Sequence, residues 1–129
     1  METTGTLKYQ DQNRLWVLID YEVGAYLRKL FWLERYVKLG RPSRTEHISV
    51  VSHYERILNP DFWNKYENKP VYVNIELETY TNGNAWWCRI YSNELNYVRE
   101  ELGLENPKKV PLHLGFGYER INSGTTTPK

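Results

Sequence analysis

The stretch VYVNIELETYTNGNAWWCRIY, Val71–Tyr91, carries the clearest fold signal in the chain. Apolar and polar residues alternate on both sides of Asn82-Gly83, which is the pattern of a β-hairpin with a type I′ turn. A turn of this kind fixes the register, so Leu77 is predicted to pair with Cys88. One face of the hairpin is then apolar and should form core: Val71, Val73, Ile75, Leu77, Trp86, Cys88 and Ile90. The other face is polar and aromatic, which suits a ligand: Tyr72, Asn74, Glu76, Tyr80, Trp87, Arg89 and Tyr91.

A helix and a strand are predicted after this hairpin. The segment SNELNYVREELGL begins with Ser92 or Asn93 as a helix cap, and its apolar stripe consists of Leu95, Val98 and Leu102. The segment ENPKKVP then breaks the helix, and LHLGFGY predicts a strand.

The first half of the chain repeats this order of elements. TLKYQDQNRLWVLID predicts a hairpin, and HISVV at residues 47–51 predicts a strand. Between them, YEVGAYLRKLFWLERYVKL predicts a helix that Asp20 caps. The apolar stripe of this helix is expected to be Val23, Leu27, Leu30, Leu33 and Val37.

The repeat extends to individual residues. Four residues of the first half have identical counterparts 71 positions later, at Tyr9/Tyr80, Asn13/Asn84, Trp16/Trp87 and Ile19/Ile90. His47 and His113 are 66 positions apart, as a shorter second helix would require. We therefore predict one α+β domain over residues 1–129, built as two pseudo-symmetric lobes (about 6–57 and 71–122) on either side of a central groove.

Composition narrows the class of protein. At 129 residues one domain is expected, and a net charge of +1 argues against long nucleic acid or an anionic membrane as partner. The single cysteine, Cys88, excludes an internal disulfide and a thiolate zinc cluster, which suits the cytoplasm. No stretch approaches the ~20 apolar residues of a membrane span. Five Trp and eleven Tyr exceed the needs of a core this small and favour stacking or interfaces.

Two of the three histidines are the first residues of similar segments, HISVVSHYERI from His47 and HLGFGYERI from His113. Alternation along a strand places His47 and Ser49 on one face, and His113 and Gly115 on the matching face of the second copy. The lobes should bring the two imidazoles face to face across the groove. Such a pair suits acid–base cleavage of a phosphodiester without a metal, because histidine titrates at pH ~6.5 and serves as either acid or base.

The two motifs and the duplicated order of elements resemble the two-histidine (2H) phosphoesterase superfamily. The segment from His47 to Val50 matches the first H-x-[S/T]-x motif fully, and the segment from His113 to Phe116 matches the second except that Gly115 replaces the hydroxyl residue. The resemblance implies a hydrolase of the cytoplasm, or of the host cytoplasm if phage-encoded. The short length suggests a minimal member, of the small RNA-repair-like branch found in phage and bacteria. Its implied substrates are RNA 2′,3′-cyclic phosphate ends and cyclic oligonucleotide signals.

The predicted site has catalytic residues His47, His113 and Ser49, with acid and base unassigned. Its predicted substrate-binding residues are Trp16, Trp87, Arg89, Gly115, Tyr9 and Tyr80. No metal and no cofactor are expected, and the partner is a small nucleotide or short RNA end, with no membrane. Three alternatives stay open: a metal site from His47, His53 and Glu55, a nucleotide- or RNA-end-binding protein without catalysis, and a protein-interaction module that uses the aromatic surface.

Overall fold

The protein is described by a computed structural model that covers residues 1–119. Its elements in chain order are β1 (Glu2–Gln10), β2 (Arg14–Ile19), α1 (Tyr21–Arg35), β3 (His47–Val51), a 3-10 helix (Pro60–Lys65), β4 (Pro70–Thr81), β5 (Ala85–Tyr91), α2 (Asn93–Glu101) and β6 (His113–Tyr118). The predicted order of hairpin, helix and strand therefore occurs twice. Residues 120–122 of the predicted second repeat lie outside the described residues.

The six strands form one closed antiparallel barrel in the order β1-β2-β3-β6-β5-β4. Strand β1 pairs with β4, from Glu2 opposite Asn74 to Thr6 opposite Pro70, and β3 pairs with β6 at Ile48 and Leu114. The prediction of an α+β domain with two lobes around a central groove is therefore wrong, because both repeats contribute strands to one continuous β-barrel, to which α1 and α2 are added. Closure pairs the backbone groups that separate sheets would leave exposed at their edges.

The register of the β4–β5 hairpin also differs from the prediction. The pairs nearest the turn are Thr79↔Cys88, Tyr80↔Trp87 and Thr81↔Trp86. The Asn82 side chain accepts hydrogen bonds from the backbone N–H groups of Asn84 (3.0 Å) and Ala85 (2.9 Å), and the turn extends past Asn82-Gly83 to Asn84, so that β5 begins at Ala85. Farther from the turn Ile75 pairs with Ile90, so the strand is irregular between Ile75 and Thr79. Leu77 lies in this irregular part and is 50% exposed, so its assignment to the core is wrong.

Helix α1 begins as predicted, and the face that it buries matches the predicted stripe only in part. Asp20 caps it by accepting a 2.8 Å hydrogen bond from the backbone N–H of Glu22. Its buried residues are Gly24, Leu27 and Phe31. Leu33, which belonged to the predicted stripe, is 59% exposed. Several apolar stripes are possible on a helix this rich in leucine and aromatic residues, and packing against the barrel selects one of them.

Helix α2 agrees with its prediction. The Ser92 hydroxyl accepts a 3.2 Å hydrogen bond from the backbone N–H of Leu95, and all three residues of the predicted stripe are buried. The helices and the apolar faces of the strands share one core, in which Ile48 of β3 and Leu114 of β6 are fully buried. The opposite face of β3 and β6 carries the two histidines. In the described part of the chain, neither helix is long and apolar enough to cross a bilayer.

Candidate active site

The two histidines lie on neighbouring strands of the barrel. Ile48 is paired with Leu114, and antiparallel partners run in opposite directions along their strands. This register sets His47 across from Gly115 and Ser49 across from His113, with all four residues on the face away from the core. A pseudo-twofold axis therefore passes between the strands, and the imidazoles occupy diagonal positions. Diagonal Cα atoms on one face are ~7–8 Å apart, within reach of long side chains.

Both imidazoles are anchored in the same way. The Nδ1 atom of His47 lies 2.7 Å from the backbone carbonyl of Thr45, and Nδ1 of His113 lies 2.9 Å from that of Pro111. A carbonyl oxygen only accepts hydrogen bonds, so Nδ1 carries a proton in both rings. Nε2 is thus the nitrogen on each ring that gains and loses a proton. Each partner carbonyl lies two residues before its histidine, so the anchoring itself follows the repeat.

An indole ring stands beside each imidazole. Trp16 stacks on His47 with ring centroids 3.7 Å apart and 18° between the planes, and only 8% of Trp16 is exposed. Trp87 lies 5.8 Å from His113 at 55° and is half-buried. The strand pairings explain this match, because Trp16 pairs with Ser49 and Trp87 pairs with Gly115. Trp16 therefore supports an imidazole, whereas Trp87 keeps accessible surface for a ligand.

The surroundings of His47 favour its neutral form. Burial is the main cause that lowers the pKa of His47 below 6.5, although the hydrogen bond to Thr45 opposes it. The positive charges of Arg44, His113 and Arg14 lower this pKa further. The sequence prediction did not include Arg14 or assign Arg44 to the site. The signal was present, since Arg14 lies two residues before Trp16 on β2 and so shares its face.

Gly115 and Ser49 complete the matched arrangement around the histidines. Ser49 is half-buried on the histidine face of β3. A Cβ atom on Gly115 would meet no other atom within 4 Å, and its φ angle is not in the left-handed region. The fold therefore does not require glycine at position 115, since there is space for the hydroxyl side chain of the second motif.

The remaining predicted residues separate into two groups. The guanidinium of Arg89, the strand partner of His113, lies 4.5 Å from the ring centre of Tyr80, so both are on the histidine face. Tyr9 is instead packed against the core, with its hydroxyl bonded to the backbone around Trp63. The two tyrosines match in sequence but not in space, because the hairpin registers differ: Tyr9 pairs with Leu15 and Tyr80 pairs with Trp87.

An arginine on each helix donates a hydrogen bond to one of the two strands that carry the histidines. Arg28 of α1 donates a 2.8 Å hydrogen bond to the carbonyl of Phe116 on β6, and Arg99 of α2 donates a 2.7 Å bond to the carbonyl of Val50 on β3. The arginines are 71 positions apart and the carbonyls are 66 apart, the same offsets as in the rest of the repeat. The helix of each repeat therefore holds the histidine strand of the other repeat. Sequence reasoning missed this cross-connection because it depends on which strands become neighbours.

The residues of the alternative metal site have other surroundings. His53 is exposed and lies against the ring of Tyr54, with centroids 5.7 Å apart. Glu55 forms an ion pair with Arg99 at 2.7 Å. Within residues 1–119, no three His, Cys, Asp or Glu side chains come together as a metal site would require.

Comparisons with protein-family models, with curated proteins and with solved structures gave no match. Function must therefore be argued from the geometry of the site itself.

Proposed function

We propose that this protein is a metal-independent phosphodiesterase that cleaves a small nucleotide phosphodiester by two-histidine acid–base catalysis, as the resemblance to 2H phosphoesterases implies. One observation carries the proposal. His47 and His113 lie on paired strands, both are held at Nδ1 by a carbonyl two residues earlier, and both rest beside an indole. A chance pair of surface histidines would not share these three features, whereas two proton-transfer groups require this control of ring orientation and tautomer.

We assign His47 as the general base, because the causes that lower its pKa favour the neutral form that can accept a proton. His113 is then the general acid. His47 Nε2 removes a proton from the attacking water while the new P–O bond forms. The P–O bond to the leaving oxygen breaks, and His113 Nε2 gives that oxygen its proton. Both proton transfers are thus supplied by the chain. With a 2′,3′-cyclic phosphate, the leaving oxygen is one of the two ribose oxygens, and the product is a phosphomonoester.

Charge and aromatic surface near the histidines suit a nucleotide. Arg14 and Arg44 place two positive charges close enough to His47 to affect its pKa, and they would hold the phosphate anion. The Ser49 hydroxyl, opposite His113, would donate to a nonbridging oxygen. The accessible part of Trp87 would stack on a base, an interaction that contributes ~1–3 kcal/mol. A local basic site of this kind is compatible with a net charge of only +1. We propose that the protein acts in the cytoplasm, where its single cysteine stays reduced.

The decisive experiment incubates the protein with EDTA and a panel of phosphodiesters, and identifies products by mass spectrometry. The panel contains 2′,3′-cyclic nucleotides, cyclic di- and trinucleotides, and short RNA with a cyclic-phosphate end. His47→Ala and His113→Ala should each lower kcat ~10²–10⁴-fold, since each removes one proton transfer. His53→Ala is the matched control, because His53 is exposed away from the pair, and it should keep wild-type turnover. Normal turnover by either site variant would refute the mechanism.

A nucleotide-binding protein without catalysis is the second candidate, and Gly115 is the observation that favours it. Gly115 occupies the place of the second motif's hydroxyl, and a hydrogen bond to a charged phosphate typically contributes ~1.5–3 kcal/mol. Under this function every substrate of the panel stays intact, yet nucleotide binds and Trp87→Ala weakens the binding. Calorimetric titration with the same panel distinguishes this outcome from a protein that binds no nucleotide.

A further inference from the structure

The backbone and the packing do not require glycine at position 115. Most other glycines of the described chain are required by their surroundings. A Cβ atom would approach another atom to 2.9 Å or less at four positions, Gly5, Gly24, Gly103 and Gly117, while Gly83 has φ +99° in a turn. Gly115 has neither a close neighbour nor a left-handed backbone. A side chain here would project into open space beside the histidines, and its absence leaves that space open to a ligand.

The open space is one end of a defined cleft. Gly115 lines a cleft of about 350 Å³, within the range of small-molecule sites. The other lining residues are Pro42, Ser43, Asn84, Ala85, Gly117 and Tyr118. This lining combines apolar surface with polar groups that can donate and accept hydrogen bonds, namely the Ser43 hydroxyl and the Asn84 amide. Within residues 1–119, neither of these side chains makes a hydrogen bond to the protein.

The cleft adjoins the histidine site at Gly115, which lines the cleft and lies on the same face of the sheet as the histidines. Gly115 lies across from His47, and the opposite wall at Ser43 is followed directly by Arg44, whose charge reaches His47. A phosphate held between the histidines would therefore project one of its two substituents toward the cleft. Trp87, which pairs with Gly115 and lies 5.8 Å from His113, offers its accessible surface to the second substituent.

We propose that the cleft over Gly115 is a second nucleoside subsite. The substrate is then a phosphodiester that carries a nucleoside on each side of the phosphate, and a nucleoside 2′,3′-cyclic monophosphate fills only half of the site. The absence of a side chain at position 115 is the feature that admits the second nucleoside. This inference rests on the proposed function for the location of the phosphate.

The test fills the cleft and compares two classes of substrate. Gly115→Leu fills the cleft with a side chain from β6, and Ser43→Phe fills it with a side chain from the loop before β3. Two variants are used so that the test still stands if one of them does not fold. Ala25→Leu is the control, because it adds a comparable apolar side chain in a separate cleft on α1. For each protein, kcat and KM are measured on adenosine 2′,3′-cyclic monophosphate and on adenylyl-adenosine with 3′–5′ and 2′–5′ linkages.

The expected result is selective. Both cleft variants should lower kcat/KM for adenylyl-adenosine at least tenfold more than for the cyclic mononucleotide, mainly through KM, and Ala25→Leu should not change the ratio. Equal losses on both substrates would overturn the subsite while leaving the phosphodiesterase intact. If no protein cleaves either substrate, calorimetric titration with 2′-O-methyl adenylyl-adenosine decides. Weaker binding by the cleft variants supports the subsite without the enzyme, and unchanged or absent binding overturns it.

Discussion

Arg99 offers the sharpest test of how the histidine strand is held in place. Its side chain is fully buried and donates to the carbonyls of Val50 and Glu105 and to both carboxylate oxygens of Glu55, at 3.0 and 2.7 Å. Arg99→Met keeps the length and the apolar stem of the side chain but removes every donor. The carboxylate of Glu55 and the carbonyl of Val50 on β3 then lose their buried partner.

Removing one partner from a buried ion pair costs ~3–5 kcal/mol, because the other charge is left without compensation. Unfolding entropy is ~2.1 cal/mol/K per residue, so for 129 residues each kcal/mol lowers Tm by ~4 °C and Arg99→Met should lower it by ~11–19 °C. The double variant Arg99→Met/Glu55→Leu removes both charges and should recover at least half of the loss. The exposed Arg56 provides the control, since Arg56→Met should stay within ~0.5 kcal/mol of wild type.

The assay is thermal and urea unfolding followed by circular dichroism. Burial alone would raise the pKa of Glu55, but hydrogen bonds from Arg99 and the backbone of Ser52, with the charges of Arg99 and Lys108, lower it overall below 4.5. The ion pair therefore stabilises the fold above pH 4.5, and its contribution is lost as the pH falls through the folded pKa. The difference in unfolding free energy between wild type and Arg99→Met should therefore shrink as the pH falls below 4.5. The reasoning is refuted if Arg99→Met loses less than about 1 kcal/mol of unfolding free energy at neutral pH, or if the double variant regains none of the lost stability.

Two further predictions concern the histidines. Nitrogen NMR should show neutral His47 and neutral His113 as Nδ1–H tautomers, the form that their carbonyl partners require. A neutral ring with its proton on Nε2 and none on Nδ1 would contradict the proposed roles. With His47 as the base, the acid limb of the pH dependence of kcat/KM should lie below pH 6.5, and Arg14→Gln should move it upward, because burial and the nearby positive charges hold the pKa of His47 low. Proton NMR titration of the His47 ring checks the same shift directly, and an unchanged or lower pKa in Arg14→Gln would rule out this electrostatic role.

Local patterns account for the parts of the fold that were predicted correctly. The Asp20 and Ser92 caps, the stripe of α2 and the two histidine strands depend on side chains a few residues apart. The faces of β3 and β6 follow from simple alternation, so the histidines and Ser49 could be placed opposite the core. The predicted stripe of α1 was correct at Leu27 but wrong at Leu33, because the sequence supports more than one apolar face and only the barrel decides which one is buried.

The sequence by itself determined the repeated order of elements and the faces of the strands that carry the two histidines, because periodicity and spacing are properties of neighbouring positions. Only the tertiary structure decided that β1 pairs with β4 and that β3 pairs with β6, which turns the predicted two lobes into one barrel. Those pairings join residues far apart in the chain, and they are selected by the need to satisfy strand edges and bury one shared core. The same long-range pairings placed Trp16 against His47, brought positive charge toward it from Arg14, and opened the cleft over Gly115.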